Sequence, residues 1–166
     1  MPRIAFDYRF NVRLPVDADR AYRWATDYAP DDPARMGEEG RRRVEQLAPR
    51  TVLLTDRLRQ GGRRVTKKKL VRLRPRLRSW TNTHLAGPTR HSQFLYRIVP
   101  RGRNASTLEF VGLQVEPSPR PLSAPELARR ARAVAREDAA AWKLLVRAMR
   151  RDLGLAASRT PRRRSR

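Results

Sequence analysis

Residues 3–24 read RIAFDYRFNVRLPVDADRAYRW. The even-numbered positions up to Leu14 are apolar or aromatic, whereas the odd-numbered ones are mostly polar, and this period of two is typical of a strand with one buried face. Pro15 then ends the strand, and Asp17 is a suitable N-cap for a helix that places Ala21 and Trp24 on one face. The sequence therefore predicts an amphipathic strand followed directly by a short helix.

A second, shorter helix is predicted after this one, because Asp32 precedes Pro33 in the manner of a helix start. Six strands are then predicted at hairpin spacing, with Gly61-Gly62 and Gly87-Pro88 among the turns. Such short turns favour sequential antiparallel pairing. The six strands are predicted at residues 44–48, 51–60, 63–73, 79–85, 91–99 and 107–116.

A long helix is predicted from residue 126 to residue 153, where Gly154 ends it. Its apolar residues recur at helical spacing over about seven turns, so this helix needs a large partner surface. Residues 155–166 carry five arginines and have little to bury. We expect a single domain at residues 1–154, followed by a disordered, arginine-rich tail.

The order of strand, two short helices, six-strand meander and long C-terminal helix resembles the START-like (SRPBCC) superfamily over residues 3–153. The passage at 12–24, where a turn with proline leads into a helix with an aromatic residue, is similar to the opening of that family. The resemblance, which extends to polyketide cyclases and lipid-transfer domains, implies an α+β helix-grip fold. In this fold a curved antiparallel sheet of about seven strands wraps around the C-terminal helix and leaves a cavity between them. No catalytic motif of the family can be carried over residue by residue.

The chain carries 39 basic and 16 acidic residues, and its formal charge of +23 ordinarily points to a polyanionic partner. Only four of the basic residues are lysines, however, and such a preference for arginine is typical of GC-rich codon usage as well as of binding. The arginines are also spread along the chain rather than concentrated in one stripe. We therefore expect non-specific contact with polyanions, through the basic tail.

Several classes of chemistry are excluded or disfavoured. The sequence contains no cysteine, so it has neither disulfides nor sulfur-ligated metals, and two histidines without an HExxH helix predict no metal site. Gly61-Gly62 lacks the spacing of a phosphate-binding fingerprint, so we predict no cofactor. No apolar stretch approaches the length that spans a bilayer, and we expect a cytoplasmic protein without membrane insertion.

Asp138 is the strongest local anomaly, because it falls inside the apolar stripe of the long helix, one turn before Trp142. A buried charge is costly unless it is paired, so Asp138 is either part of a structural ion pair or a polar anchor for a ligand. His84 and His91 flank the Gly87-Pro88 turn, where they are either candidate general bases or structural histidines bonded to backbone or water. The candidate ligand-binding residues are Asp138, Trp142, Tyr96, Phe94, His84, His91 and Trp80.

Two further charged groups have alternative interpretations. Asp27, Asp31 and Asp32 form an acidic cluster that helix capping explains better than acid–base chemistry does. Lys67 and Lys69 share one side of a strand. If that side is concave, a lysine can pair with Asp138 or meet an anionic head group; otherwise both are solvated.

Three functions are left open. The first is a START-like binding domain for an apolar small molecule, lipid or polyketide-like, held between the sheet and the C-terminal helix. The second is an enzyme of the polyketide cyclase or dehydratase type, which requires groups such as His84, His91, Tyr96 or Asp138 to converge on one pocket. The third is an RNA- or ribosome-associated protein that uses its basic surface. The sequence does not identify the ligand.

Overall fold

The computed structural model describes residues 1–155, so the predicted tail from residue 156 onward lies outside the described residues. One strand, β1, precedes two short helices, and six strands and a long helix follow. A short 3-10 turn, Pro75–Leu77, joins the fourth and fifth strands. The elements are β1 Arg3–Leu14, α1 Ala18–Ala25, α2 Asp32–Arg35, β2 Glu39–Ala48, β3 Thr51–Gln60, β4 Arg63–Arg74, β5 Ser79–Ala86, β6 Gln93–Pro100, β7 Ser106–Pro117 and α3 Ala124–Asp152.

All seven strands form one antiparallel sheet in the order β1-β7-β6-β5-β4-β3-β2. Strands β2 to β7 pair sequentially, and β1 pairs with β7 along its whole length, from Arg3 opposite Pro117 to Leu14 opposite Ser106. The sheet curves around α3, which lies against its concave face. The predicted α+β helix-grip architecture is confirmed.

The core lies between the concave face of the sheet and α3. In β1 the even-numbered side chains are buried, except that Phe10 is half-buried and stacks on Phe110 with ring centroids 4.5 Å apart. From α3, Trp142, Leu145 and Met149 pack on this face. The buried face of β1 and the apolar stripe of α3 therefore contribute to one interior, as their sequence patterns predict. No helix among residues 1–155 is long and apolar enough to cross a bilayer.

Strand β2 begins at Glu39, earlier than the predicted start at residue 44, and includes Gly40. A side chain at Gly40 would collide with the carbonyl oxygen of Arg57 in the neighbouring strand, so only glycine permits this pairing. The extension places Arg42 opposite Asp56 in β3.

The helix starts follow capping chemistry. The side chain of Asp17 accepts a hydrogen bond from the Arg20 amide at 3.0 Å, which confirms it as the cap of α1. The predicted cap of α2 was wrong by one position: Asp31 occupies the N-cap, and Asp32 is the first helical residue. The carboxylate of Asp32 accepts hydrogen bonds from the Ala29 amide and from Arg42, both at 3.0 Å.

Candidate ligand-binding cavity

A cavity of about 340 Å³ lies between α1 and α2, the concave face of the sheet and the C-terminal half of α3. Its lining combines aromatic and apolar side chains with charged ones. Its lining residues are Trp24, Ala25, Asp27, Tyr28, Ala29, Asp32, Arg35, Met36, Arg42, Leu54, Lys69, Trp80, Asn82, Tyr96, Trp142, Leu145, Asp152 and Leu153.

Three aromatic side chains form one wall of the cavity, which we call the aromatic wall: Trp80, Tyr96 and Trp142. Trp80 and Tyr96 are cross-strand partners on β5 and β6, and their rings stack almost in parallel, 4.9 Å apart at an angle of 3°. The ring of Trp142 on α3 lies 6.3 Å from Trp80 and 5.9 Å from Tyr96. These are three of the seven residues that the sequence singles out as candidates.

A buried ionic cluster supplies charged groups to the cavity lining, and we call it the polar end: Arg42, Asp56, Lys69 and Asp32. The guanidinium group of Arg42 donates two hydrogen bonds to the Asp56 carboxylate, at 2.6 and 3.0 Å, and one to Asp32 at 3.0 Å. The ammonium group of Lys69 donates to Asp56 at 2.7 Å. Asp56 is completely buried, so it depends on these two cations for its solvation.

Burial and the contacts within this cluster shift the pKa values of its members. Burial alone would raise the pKa of Asp56, but hydrogen bonds from Arg42 and the charge of Lys69 hold it at about 2. Burial lowers the pKa of Lys69, and the charge of Asp56 opposes this shift. Burial raises the pKa of Asp32, against the effect of the Ala29 amide and of Arg42. Asp56 is therefore ionised at neutral pH and is compensated inside the protein.

This cluster is not among the groups predicted from the sequence. Lys67 and Lys69 share the inner side of β4, but Lys69 contacts Asp56 and not Asp138. A signal was present in the sequence, because Asp56 occupies an inward position between Leu54 and Leu58 in β3. It is a carboxylate in an apolar pattern, the same anomaly that singles out Asp138.

Asp138 faces the sheet, but it does not line the cavity. The hydroxyl group of Tyr8 donates a hydrogen bond of 2.5 Å to its carboxylate. Burial raises the pKa of Asp138, and the hydrogen bond from Tyr8 partly offsets this effect. The hydrogen-bond partner of the Asp138 carboxylate is thus a hydroxyl group from β1.

The backbones of His84 and His91 are hydrogen-bonded to each other, but their side chains have different partners. The amide of His91 donates to the carbonyl oxygen of His84 at 2.8 Å, as the predicted turn requires. The ring of His84 is buried against Phe94 at 4.8 Å, and its Nδ1 lies 2.7 Å from the Thr89 hydroxyl group. Burial and the charges of Lys69 and Lys67 lower the pKa of His84 to about 3.

The side chain of His91 is exposed and accepts a hydrogen bond from Arg90. Neither histidine lines the cavity, and neither does Phe94. The groups that a cyclase would need therefore do not converge, since only Tyr96 among them reaches the cavity. Within residues 1–155 no three His, Asp or Glu side chains are arranged to hold a metal ion.

Asp152, at the end of α3, lines the cavity and contacts both short helices. Its carboxylate accepts hydrogen bonds from the indole of Trp24 in α1 at 2.9 Å and from Arg35 in α2 at 2.6 Å. One exposed carboxylate thus connects the three helices that line the cavity, and we call this group the Asp152 contact.

Solved structures share this architecture. The Zhui aromatase/cyclase from Streptomyces sp. R1128 superimposes with a TM-score of 0.72 at 14% identity, over 90% of this chain and 96% of that chain. A truncated norcoclaurine synthase from Thalictrum flavum gives a TM-score of 0.65 at 11% identity, over 89% and 95% of the two chains. A START superfamily protein from Mycobacterium smegmatis gives a TM-score of 0.63 at 18% identity, over 86% of this chain and 98% of that chain.

No protein-family model matches the sequence, and no curated protein sequence matches it either. The structural likeness establishes the fold, so this chain has the START-like, helix-grip fold that its order of elements predicts.

Proposed function

We propose that this protein is a START-like binding domain that holds a compact, flat, largely apolar molecule in the cavity between the sheet and α3. The observation that carries the proposal is the aromatic wall of Trp80, Tyr96 and Trp142 on a cavity of about 340 Å³. Small-molecule pockets commonly measure about 300–1,000 Å³, with apolar walls and a few polar groups. A volume near the lower limit favours a ring compound over a long acyl chain.

The aromatic wall gives this ligand a specific binding mode. Planar rings attract one another in offset-stacked or edge-to-face arrangements, which contribute roughly 0.5–1.5 kcal/mol per pair beyond the burial of apolar area. Trp80 is held in place by its stack on Tyr96, and Trp142 is held by the packing of α3 on the sheet. The wall is therefore preorganised, and a ligand loses little affinity to ordering it.

Binding without catalysis is the form of the proposal that the geometry supports best. The cavity contains one of the four candidate groups for cyclase chemistry, Tyr96, and burial raises the pKa of that phenol, with the charge of Asp138 adding to the effect. A phenol with a raised pKa is a weak proton donor at neutral pH. His84 and Asp138 have their own partners away from the cavity.

Native mass spectrometry of protein purified from its natural host tests the proposal directly. We expect a small molecule of defined mass that stays bound under native conditions and leaves on denaturation. Trp142→Leu, which keeps an apolar side chain but removes one ring of the aromatic wall, should reduce its occupancy. The matched control is Leu95→Ala on the exposed face of β6, which should retain the ligand. Protein with no bound molecule, or with equal occupancy in both variants, would overturn the proposal.

A further inference from the structure

We propose that the cavity selects a neutral ligand bearing a hydroxyl group and rejects its anionic analogue, although the chain as a whole carries a charge of +23. Tyr28 and Asn82 are the residues that make this selection. The inference rests on the proposed function, because it specifies the polar part of the molecule that the aromatic wall would hold.

The charges at the cavity already compensate one another. Three basic side chains line it, Arg35, Arg42 and Lys69, and three acidic ones do so as well, Asp27, Asp32 and Asp152. Asp56 lies directly behind this surface and adds a fourth carboxylate. Each of the three basic groups contacts at least one carboxylate at 2.6–3.2 Å.

An anionic ligand is therefore disfavoured. To replace Asp56 as the partner of Arg42 or Lys69, it would have to displace a completely buried carboxylate, which would then lose its own partners. To bind beside the intact pairs it would bring a further negative charge close to the carboxylates. Both routes leave a desolvated charge without full compensation, which is strongly unfavourable.

Two neutral groups at the cavity retain unused hydrogen-bonding capacity. The hydroxyl group of Tyr28 and the side-chain oxygen of Asn82 are buried, and neither has a hydrogen-bond partner among residues 1–155. An unsatisfied buried polar atom costs roughly 1–3 kcal/mol, so a ligand that satisfies it gains affinity.

The chemistry of these two atoms defines the ligand group. The oxygen of Asn82 only accepts, so the ligand must donate a hydrogen bond to it. Burial raises the pKa of Tyr28, so its hydroxyl group stays protonated and can donate to an oxygen of the ligand. A neutral hydroxyl group both donates and accepts, whereas a carboxylate has no proton to give to Asn82. The cavity is therefore suited to a phenol or alcohol on a flat ring system.

Isothermal titration calorimetry at pH 7 with naphthalene, 2-naphthol and 2-naphthoate tests the inference, because the three probes share one ring system. We expect 2-naphthol to bind about tenfold more tightly than naphthalene, the equivalent of one satisfied hydrogen bond. We expect 2-naphthoate to bind more weakly than naphthalene. Tyr28→Phe and Asn82→Leu should each reduce the preference for 2-naphthol. Tyr22→Phe is the matched control, since it removes another buried tyrosine hydroxyl group that does not line the cavity.

The outcomes separate this inference from the proposed function. If none of the probes binds, both are overturned. If naphthalene and 2-naphthol bind equally, or 2-naphthoate binds most tightly, the cavity binds ring compounds but the proposed selection is wrong. The proposed selection is also wrong if both Tyr28→Phe and Asn82→Leu retain the preference for 2-naphthol.

Discussion

The hydroxyl group of Tyr8 in β1 donates a 2.5 Å hydrogen bond to the carboxylate of Asp138 in α3, across 130 positions of sequence. This bond explains how a carboxylate can lie in the apolar stripe of α3. It connects the edge strand of the sheet to the helix that the sheet surrounds, outside the cavity that we propose for the ligand.

Asp138→Asn should lower the free energy of unfolding by about 1–2 kcal/mol, because the variant keeps the shape of the side chain but loses a charge-assisted hydrogen bond. Chemical denaturation measures this change, and a double-mutant cycle with Tyr8→Phe isolates the pair. Affinity for 2-naphthol should remain within a factor of two or so, since Asp138 does not line the cavity. Weaker binding with unchanged stability would instead make Asp138 a ligand anchor.

His84 should make stability depend on pH between about 6.5 and 3. The unfolded chain has the imidazole at its ordinary pKa near 6.5, and the folded protein has it at about 3. Between these values the unfolded state binds the additional proton, so stability falls as the pH falls, by up to about 1.4 kcal/mol per pH unit.

Denaturant titrations of the wild type and of His84→Gln at pH 7, 6, 5 and 4 measure this dependence. The difference in stability between the two proteins should shrink or reverse as the pH falls, because only the wild type carries the histidine. A difference that is constant over this range would mean that His84 titrates normally in the folded protein.

Much of the fold could be predicted because its signals are local. The alternation of residues 3–14, the glycine turns and the apolar stripe of α3 each report a period or a break within one segment. These signals determine the element order, and with short turns they determine the sequential pairing of β2 to β7. The early start of β2 could not be predicted, because the role of Gly40 depends on the carbonyl group of Arg57 in another strand.

The candidate site could be predicted only in part, since its polar end depends on contacts between distant segments. Trp80, Tyr96 and Trp142 stand at inward positions of their own elements, so the pattern selects them. Arg42 is one arginine in a run of three, and nothing local distinguishes it from Arg41 or Arg43. Its register opposite Asp56 is what gives it a role.

Asp56→Asn should be the most destabilising single change at the polar end, by about 3–5 kcal/mol, because it leaves Arg42 and Lys69 buried without their shared carboxylate. Thermal and chemical denaturation measure the loss. The control is Asp19→Asn, which breaks an exposed ion pair with Arg78 and should have little effect. Equal effects of the two variants would show that the buried cluster contributes no more than a surface pair.

Asp152→Asn should accelerate ligand exchange, because Trp24 and Arg35 would lose the carboxylate that holds α1 and α2 against α3. Stopped-flow measurements with 2-naphthol should show that association and dissociation rate constants rise together, while Kd changes little. Asp31→Asn is the control, since Asp31 contacts Arg35 from outside the cavity lining. Unchanged rate constants would show that the Asp152 contact does not control entry.

A ring compound bound against the aromatic wall would lie among tryptophans, since the three tryptophans of the chain, Trp24, Trp80 and Trp142, all line the cavity. Their indole N–H resonances in a ¹H–¹⁵N spectrum therefore report on the site during a titration with 2-naphthol. We predict that the signals of Trp80 and Trp142 shift to saturation with one common Kd. Indole signals that stay unchanged, while amides on the exposed face around Leu95 and Val111 shift, would show that ring compounds do not bind in this cavity.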